Sequence, residues 1–368
     1  MKLGHYLVVF VIVLAAIFVG VELKTNSLET MDKRTSEFNE TIDNAVDDSL
    51  QSMMEVADSF DHNINLEVCS DTFFKALYAG FGTMDSVTGK EQLKMYVPVL
   101  LVTDEDGFYL MYHSTSQLGD YTETAWTPKM AYYYSGTLSG NLSGVPAQFN
   151  YQISYTMSTI IKLNIKVVPS SGVSGDKSYY FEGHRESIVE EYSAAGEDAE
   201  SLAVLSAFMS AATAEGQLLS TSNFERFKQS VMTYQITKKM NYWVNEHNKI
   251  AKNYGISYNF SLPESSMDSV SRAIENVSLL AIFQGFPYGQ GTNDVYSRFS
   301  LSGARLYKAT RYVVAKHGSV LYYHRYSCGK LPKTEQGGIN LPEASYETVN
   351  TRRACAEKGA YPCPDCNP

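Results

Sequence analysis

The feature that most constrains this chain is an uninterrupted apolar segment near its N-terminus, LVVFVIVLAAIFVGV at Leu7–Val21. No charged residue lies between Lys2 and Glu22. As a helix, with about 1.5 Å of rise per residue, the 19 residues between Lys2 and Glu22 cover roughly 28 Å, close to the hydrocarbon thickness of a bilayer. The segment therefore predicts an uncleaved, single-pass transmembrane anchor at residues 1–22. A cleaved signal peptide is the alternative, but no pair of small residues marks a cleavage site.

A group of cysteines at the other end of the chain bears on which side of the membrane the protein occupies. These residues are Cys328, Cys355, Cys363 and Cys366. An even set in loop-like sequence indicates disulfide bonds formed in an oxidising compartment, although the sequence does not fix their pairing. The charges that flank the apolar segment do not decide its orientation. The expected disulfides are therefore the reason to place the bulk of the chain outside the cytosol, at the cell membrane.

Zinc is the alternative role for these cysteines. Only CPDC, residues 363–366, has the spacing of a zinc knuckle. The remaining ligands would be Cys355 and Cys328, or His317 or His324. A redox-active pair is disfavoured, because such pairs begin a helix and CPDC is flanked by prolines close to the last residue. Zinc binding and unpaired thiols both stay open beside the disulfide interpretation, and the sequence assigns no metal site.

The composition favours a folded, acidic protein without an evident activity. Of the 368 residues, 44% are hydrophobic, and the formal net charge is −10. An acidic balance disfavours nucleic acid as a partner. The acidic cluster at residues 104–106 would suit calcium, but the same residues are typical of a tight hairpin turn, which we prefer. Because no phosphate-binding, zinc-peptidase, serine-hydrolase or kinase motif occurs, we expect a non-enzymatic protein with no catalytic residue and no cofactor.

The apolar patterns divide the chain into four parts with an α+β architecture. After the anchor we predict an acidic amphipathic helix at residues 23–61, an α+β extracytoplasmic domain with an antiparallel sheet at 62–330, and a cysteine-containing tail at 331–368. Within the domain the patterns predict hairpins at 94–114 and 304–328, strands at 147–157 and 160–168, and helices at 70–81, 185–215, 223–254 and about 267–283. Ser70 or Asp71 is expected to cap the first of these helices.

The chain resembles an uncharacterised family of single-pass membrane proteins of Gram-positive, clostridia-like bacteria that is associated with Tad-type (Flp) pilus assembly. After the apolar segment and the long helix, the resemblance rests on FFKALYAGFG (Phe73–Gly82), YVPVLLVTDEDGFYLMY (Tyr96–Tyr112), WTPKMAYYY (Trp126–Tyr134) and CAEKGAYPCPDC (Cys355–Cys366). It implies a pseudopilin-like or TadE-like envelope component that acts by protein–protein interaction. A polymerising major pilin is not expected, because no prepilin cleavage site is present and Glu22 lies at the end of the apolar segment rather than inside it.

A ligand-binding sensor is the alternative. A membrane-proximal helix followed by a hairpin such as VTDEDGFYL (residues 102–110) also looks like a Cache or PAS-like extracytoplasmic module. Such modules usually lead into a second transmembrane helix and an output domain, and the sequence shows neither. We therefore expect membrane lipid, through residues 1–22, and other envelope or pilus proteins as partners, with no nucleic acid. The sequence leaves the oligomeric state open.

Overall fold

The computed structural model describes most of the chain, and the described residues form an α+β fold with an antiparallel sheet, as the sequence predicts. These residues are 3–55, 63–115, 122–169, 177–194, 198–215, 223–262, 265–288, 295–304, 312–318, 320–325, 328, 330–332, 345–349, 355–356 and 358–364.

The helices and strands within these ranges follow one another along the chain in a helix-rich start, a strand-rich middle and a mixed end. The helices are α1 (Leu3–Met53), α2 (Leu66–Gly80), α3 (Val87–Lys94), α4 (Ile188–Ala194), α5 (Ala199–Glu215), α6 (Phe224–Ala251) and α7 (Ser265–Ala273). The strands are β1 (Met54–Glu55), β2 (Asn63–Ile64), β3 (Val99–Asp104), β4 (Gly107–Thr115), β5 (Thr122–Trp126), β6 (Met130–Leu142), β7 (Val145–Tyr155), β8 (Ile160–Pro169), β9 (Ser178–His184), β10 (Val277–Pro287), β11 (Val295–Ala304), β12 (Tyr312–His317), β13 (Val320–Arg325), β14 (Tyr346–Val349) and β15 (Tyr361–Pro362).

Helix α1 corrects the prediction of a transmembrane anchor. Across the described part of the chain, no helix combines the length and the apolar character that crossing a membrane requires. The predicted single-pass anchor at residues 1–22 is therefore wrong. The apolar segment is not an element of its own, because α1 continues without a break through the exposed side chains of Glu22 and Lys24 and ends only at Met53.

The second half of α1 belongs to the main hydrophobic core. Described side chains before Phe38 are exposed or partly exposed, whereas Ile42, Val46 and Met53 are fully buried. Phe38 stacks on Phe81 with ring centroids 4.7 Å apart. The amphipathic helix predicted at 23–61 ends at Met53, just before strand β1, and its apolar face packs on the same chain. Residues 56–61 of that prediction lie outside the described residues.

Nine strands form the main sheet, in the order β11–β10–β3–β4–β6–β7–β8–β9, with β5 also paired to β4. The predicted hairpin at 94–114 is confirmed as β3 and β4, and the predicted strands at 147–157 and 160–168 are confirmed as β7 and β8. In β7, buried and exposed side chains alternate, and the buried face, with Phe149 and Tyr151, packs against Phe208 of α5.

Strand β10 corrects the predicted helix at about 267–283. Helix α7 ends at Ala273, and the apolar run VSLLAIF that follows is a central strand between β11 and β3. Every side chain from Val277 to Phe283 is buried. A continuous apolar run has no period of two to mark a strand, so a fully buried strand and a buried helix look alike in sequence.

A second, four-stranded sheet occupies the C-terminal part, in the order β14–β12–β13–β15. The predicted hairpin at 304–328 is confirmed as β12 and β13, which turn at Gly318 with a φ of +66°. This sheet carries two small hydrophobic clusters of its own, separate from the main core.

A candidate metal centre in the C-terminal sheet

The disulfide prediction is contradicted. Among the cysteines within the described residues, no pair lies at disulfide distance. Cys328, Cys355 and Cys363 are all buried, at 4%, 0% and 3% exposure. Cys366 lies outside the described residues. The cysteines are thus interior groups of the small sheet, and their arrangement gives no support for disulfide staples.

Strand pairing places two of the histidines near one face of this sheet. In the β12–β13 hairpin, Val313 pairs with His324 and His317 pairs with Val320. Residues directly opposite each other in an antiparallel pair point to the same side, and every second residue along a strand does too. His317 and His324 therefore share a face with Val313, whose hydrophobic cluster includes Cys328 and Cys363.

Short local contacts fix both of these cysteines. Cys328 follows β13, and its carbonyl accepts a hydrogen bond from the backbone N–H of Leu331 at 3.2 Å. Cys363 follows β15, and its own N–H donates to the Tyr323 carbonyl at 3.0 Å. Because β15 runs parallel to β13, residues that are 35 positions apart in the sequence arrive at the same place.

His324, Cys328 and Cys363 form a compact group of possible metal ligands. One ligand atom from each residue lies within 4.8 Å of the ligand atoms of the other two, and all three residues are buried. A tetrahedral zinc ion holds sulfur and nitrogen ligands about 3.3–3.8 Å apart, given Zn–N of about 2.0–2.1 Å and Zn–S of about 2.3 Å. The ligand atoms are therefore at most about 1–1.5 Å farther apart than in a closed zinc site.

His317 adjoins this group from the solvent side. Its Nε2 lies 3.2 Å from Nε2 of His324, and the centroids of the two rings are 5.1 Å apart. His317 is exposed, whereas His324 is only 2% exposed. Of the residues weighed for zinc in the sequence, the structure thus groups His324, Cys328 and Cys363, and His317 contacts this group through His324.

Cys355 and Cys69 lie elsewhere. Cys355 belongs to the hydrophobic cluster that contains Val314, Val349 and Tyr312, whereas Cys328 and Cys363 belong to the cluster of Val313 and Ala315. Val313 and Val314 are adjacent in β12, so the two clusters lie on opposite faces of the sheet. Burial raises the pKa of the Cys355 thiol, and it raises the pKa of the Cys69 thiol in α2 to about 12. Both thiols remain protonated at neutral pH and act as apolar core groups.

The acidic turn of the β3–β4 hairpin is held by lysines. Lys129 Nζ lies 2.7 Å from Asp104 Oδ2 and also pairs with Asp106, and Lys162 Nζ lies 3.2 Å from Asp106 Oδ2. Burial alone would raise the pKa of the Asp106 carboxyl, but hydrogen bonds and charge from both lysines hold that pKa below its usual value. The carboxylates already have cationic partners, which favours the turn interpretation over calcium.

A serine, a histidine and a glutamate also meet, without the arrangement of a hydrolase. Ser187 Oγ donates to Glu191 Oε1 at 2.6 Å, and His184 Nδ1 lies 3.3 Å from the same oxygen. The carboxylate therefore stands between the other two side chains. In a catalytic triad the imidazole occupies that middle position and takes the serine proton. This cluster lies at the start of α4, and the arrangement does not activate the serine as a nucleophile.

A cavity of about 430 Å³ beside α6 is lined by Met157, Lys228 and Gln229, among others. Lys228 Nζ donates to the carbonyls of Met157 at 3.3 Å and Ser158 at 2.9 Å. Its ammonium group thus ties α6 to the connection between β7 and β8. These contacts account for the buried lysine as a structural link.

No family model matches the chain, and neither the curated proteins nor the solved structures include a significant match.

The sequence offers these four residues as possible zinc ligands, together with Cys355 and Cys366, but the even number of cysteines favours disulfides. The stretch from His317 to Cys328 reads H-x6-H-x3-C, so two imidazoles and a thiol, which are ligand types that zinc binds, lie close together in the sequence. The obstacle is the long separation between Cys328 and Cys363. Only the parallel pairing of β13 with β15 brings these cysteines together, and that pairing leaves no mark in the local pattern.

Proposed function

We propose that the C-terminal sheet of this protein binds one zinc ion, and that the ion has a structural role. The observation that carries the proposal is the group formed by His324, Cys328 and Cys363, whose ligand atoms lie within 4.8 Å of one another in a buried site. Thiolate and imidazole ligands together favour zinc over the oxygen-preferring magnesium and calcium ions.

The size of the sheet supports a structural role. Each of its two hydrophobic clusters contains five buried residues, whereas the main core contains many times that number. A sheet with so little apolar burial commonly needs a metal ion or disulfides to be stable. With no disulfide between its described cysteines, the small sheet has the ligands for the first of these two solutions.

Metal analysis of the full-length protein tests this proposal. Protein purified without chelator should contain one equivalent of zinc, and replacement by Co²⁺ should give thiolate-to-cobalt charge transfer in the near ultraviolet. Cys328→Ser should abolish stoichiometric zinc binding. Cys355→Ser is the matched control, because this cysteine is equally buried but lies on the opposite face, and it should retain one equivalent. Equal zinc content in the two variants, or none in the wild type, would overturn the proposal.

We propose further that the whole chain is a non-enzymatic component that acts by protein–protein contact, as the resemblance to Tad-type pilus assembly proteins implies. Helix α1 favours this function. Its 51 residues extend over about 76 Å, and among its described side chains those that pack in the main core begin at Phe38. Phe18 is 71% exposed and Val19 is 55% exposed. A long helix with exposed apolar side chains suits assembly with other proteins.

Photo-crosslinking in the native cell tests this second function. A photoreactive amino acid at Phe18 should crosslink to a subunit of a pilus or secretion apparatus, identified by mass spectrometry. The same amino acid at Tyr180, which is 74% exposed on β9, is the control and should not. Crosslinks to the same proteins from both positions, or from neither, would contradict the proposal.

A further inference from the structure

The four residues of the candidate metal centre differ in their access to solvent. His324, Cys328 and Cys363 are each at most 4% exposed. His317, at the end of β12 beside the turn at Gly318, is exposed. These three residues supply three of the four ligands that a tetrahedral zinc ion takes, and His317 is an exposed histidine that contacts one of them, His324.

The distance between the two imidazoles matches shared coordination. In a tetrahedral site, two nitrogens at about 2.0–2.1 Å from zinc are about 3.3 Å apart. The observed separation between Nε2 of His317 and Nε2 of His324 is 3.2 Å. The packing of the two rings also restrains His317, which meets the ring of Tyr322 at 6.0 Å in an edge-on arrangement.

We propose that His317 is the exposed fourth ligand of the zinc ion and that it controls how fast the ion is released. This inference rests on the proposed zinc site. A chelator reaches the ion from the solvent side, so it must displace the exposed ligand first. The buried ligands then retain the ion until the chelator has taken the vacated position. Removing His317 should leave a three-ligand site that holds the ion more weakly and releases it faster.

Two variants and one control test this role. In His317→Ala, a colorimetric chelator should take zinc at least about 10-fold faster than from the wild type. In His317→Cys, the Co²⁺-loaded protein should gain a third thiolate, and charge-transfer absorption should rise to about 1.5 times the wild-type value. Lys316→Ala is the control, because this exposed neighbour alternates to the other face of the sheet and should change neither measurement.

The outcomes separate this inference from the proposed function. Absence of zinc from the wild-type protein would refute the site itself. If the wild type binds one zinc but both His317 variants match it in release rate and cobalt spectrum, the site stands and His317 is not a ligand. If His317→Ala releases zinc faster while His317→Cys gains no charge-transfer absorption, His317 only orients His324 and the fourth-ligand assignment is wrong.

Discussion

The buried imidazole rings of His113, on β4, and His247, on α6, lie 5.1 Å apart. Nε2 of His113 is 2.9 Å from the Val97 carbonyl, and Nε2 of His247 is 2.9 Å from the Met95 carbonyl. Because a carbonyl only accepts hydrogen bonds, each Nε2 carries the proton. Both Nδ1 atoms are buried and make no hydrogen bond within the described part of the protein. The pair joins α6 to the segment that leads into β3.

This arrangement predicts a loss of stability in mild acid. Burial, with a smaller contribution from the neighbouring His247, lowers the pKa of His113 to about 3, and burial lowers that of His247 to about 4. In the unfolded chain a histidine titrates near pH 6.5. As the pH falls below about 6.5, the unfolded state binds protons that the folded state does not. The free energy of unfolding should therefore decrease by about 1.4 kcal/mol per pH unit for each histidine until the folded pKa is reached.

Urea denaturation between pH 7 and pH 4.5 measures this slope. In His247→Gln the side-chain amide can still donate to the Met95 carbonyl, but it has no proton to gain. The slope of unfolding free energy against pH should be smaller in this variant than in the wild type by about 1.4 kcal/mol per pH unit. This difference does not depend on the stability of the variant at pH 7. An unchanged slope would show that His247 titrates alike in the folded and unfolded states.

An ion pair with an added hydrogen bond, which we call the clasp, joins Asp43 of α1 to Arg298 and Ser300 of β11. Arg298 Nε and its terminal nitrogen donate to the two oxygens of Asp43, at 3.2 and 2.5 Å, and Ser300 Oγ donates to the same carboxylate at 2.7 Å. The ion pair is about one-third exposed, so its contribution is modest. Asp43→Ala should lower the free energy of unfolding by about 1 kcal/mol, mainly through the lost hydrogen bonds. Asp48→Ala, exposed on the same helix, should change it by less than about 0.5 kcal/mol. Equal effects would contradict the clasp.

The start of α2 offers a test of a corrected helix boundary. The sequence predicts capping by Ser70 or Asp71, but α2 begins at Leu66, where Oδ1 of Asn65 accepts from the Val68 N–H at 3.1 Å. Asn65→Ala should cost about 1 kcal/mol in unfolding free energy. Asp71→Ala removes only an exposed pair with Lys75 and should cost less than about 0.5 kcal/mol. A larger effect at Asp71 would favour the original boundary.

How much of this fold the sequence predicts depends on whether a segment has one solvent-facing side. The β3–β4 hairpin and strand β7 are marked by turn residues or by alternation, and both are recognised. Strand β10 is buried on both faces and has no such signal. The apolar segment of α1 is correctly predicted to be helical. Its hydrophobicity also predicts that it spans a membrane, and the described helix does not have the length and apolar character for that.

The candidate metal centre also depends on information that local sequence patterns do not contain. Residue type and local spacing single out Cys328, Cys363 and the two histidines. Choosing between disulfides and a metal requires distances, and these depend on the non-local pairing of β15 with β13. Sequence analysis can therefore supply the candidate ligands of such a site, but only the tertiary structure decides which of them meet.

Two glycines with positive φ separate backbone strain from steric overlap. Gly144 (φ +83°) lies in the β6–β7 turn, and a Cβ there would meet nothing within 4 Å. Gly285 (φ +75°) lies in a bulge of β10, and a Cβ there would stand 2.3 Å from Cγ of Tyr258. Gly144→Ala should cost about 1 kcal/mol, which is the conformational penalty alone.

Gly285→Ala adds overlap with an aromatic ring in a close-packed region, so it should cost about 3 kcal/mol or more. Chemical denaturation of both variants measures the difference. In the Tyr258→Ala background, which lacks the ring, adding Gly285→Ala should cost less unfolding free energy than it does in the wild type. If the two glycine variants lose the same stability, the ring moves aside freely and the bulge does not fix its position.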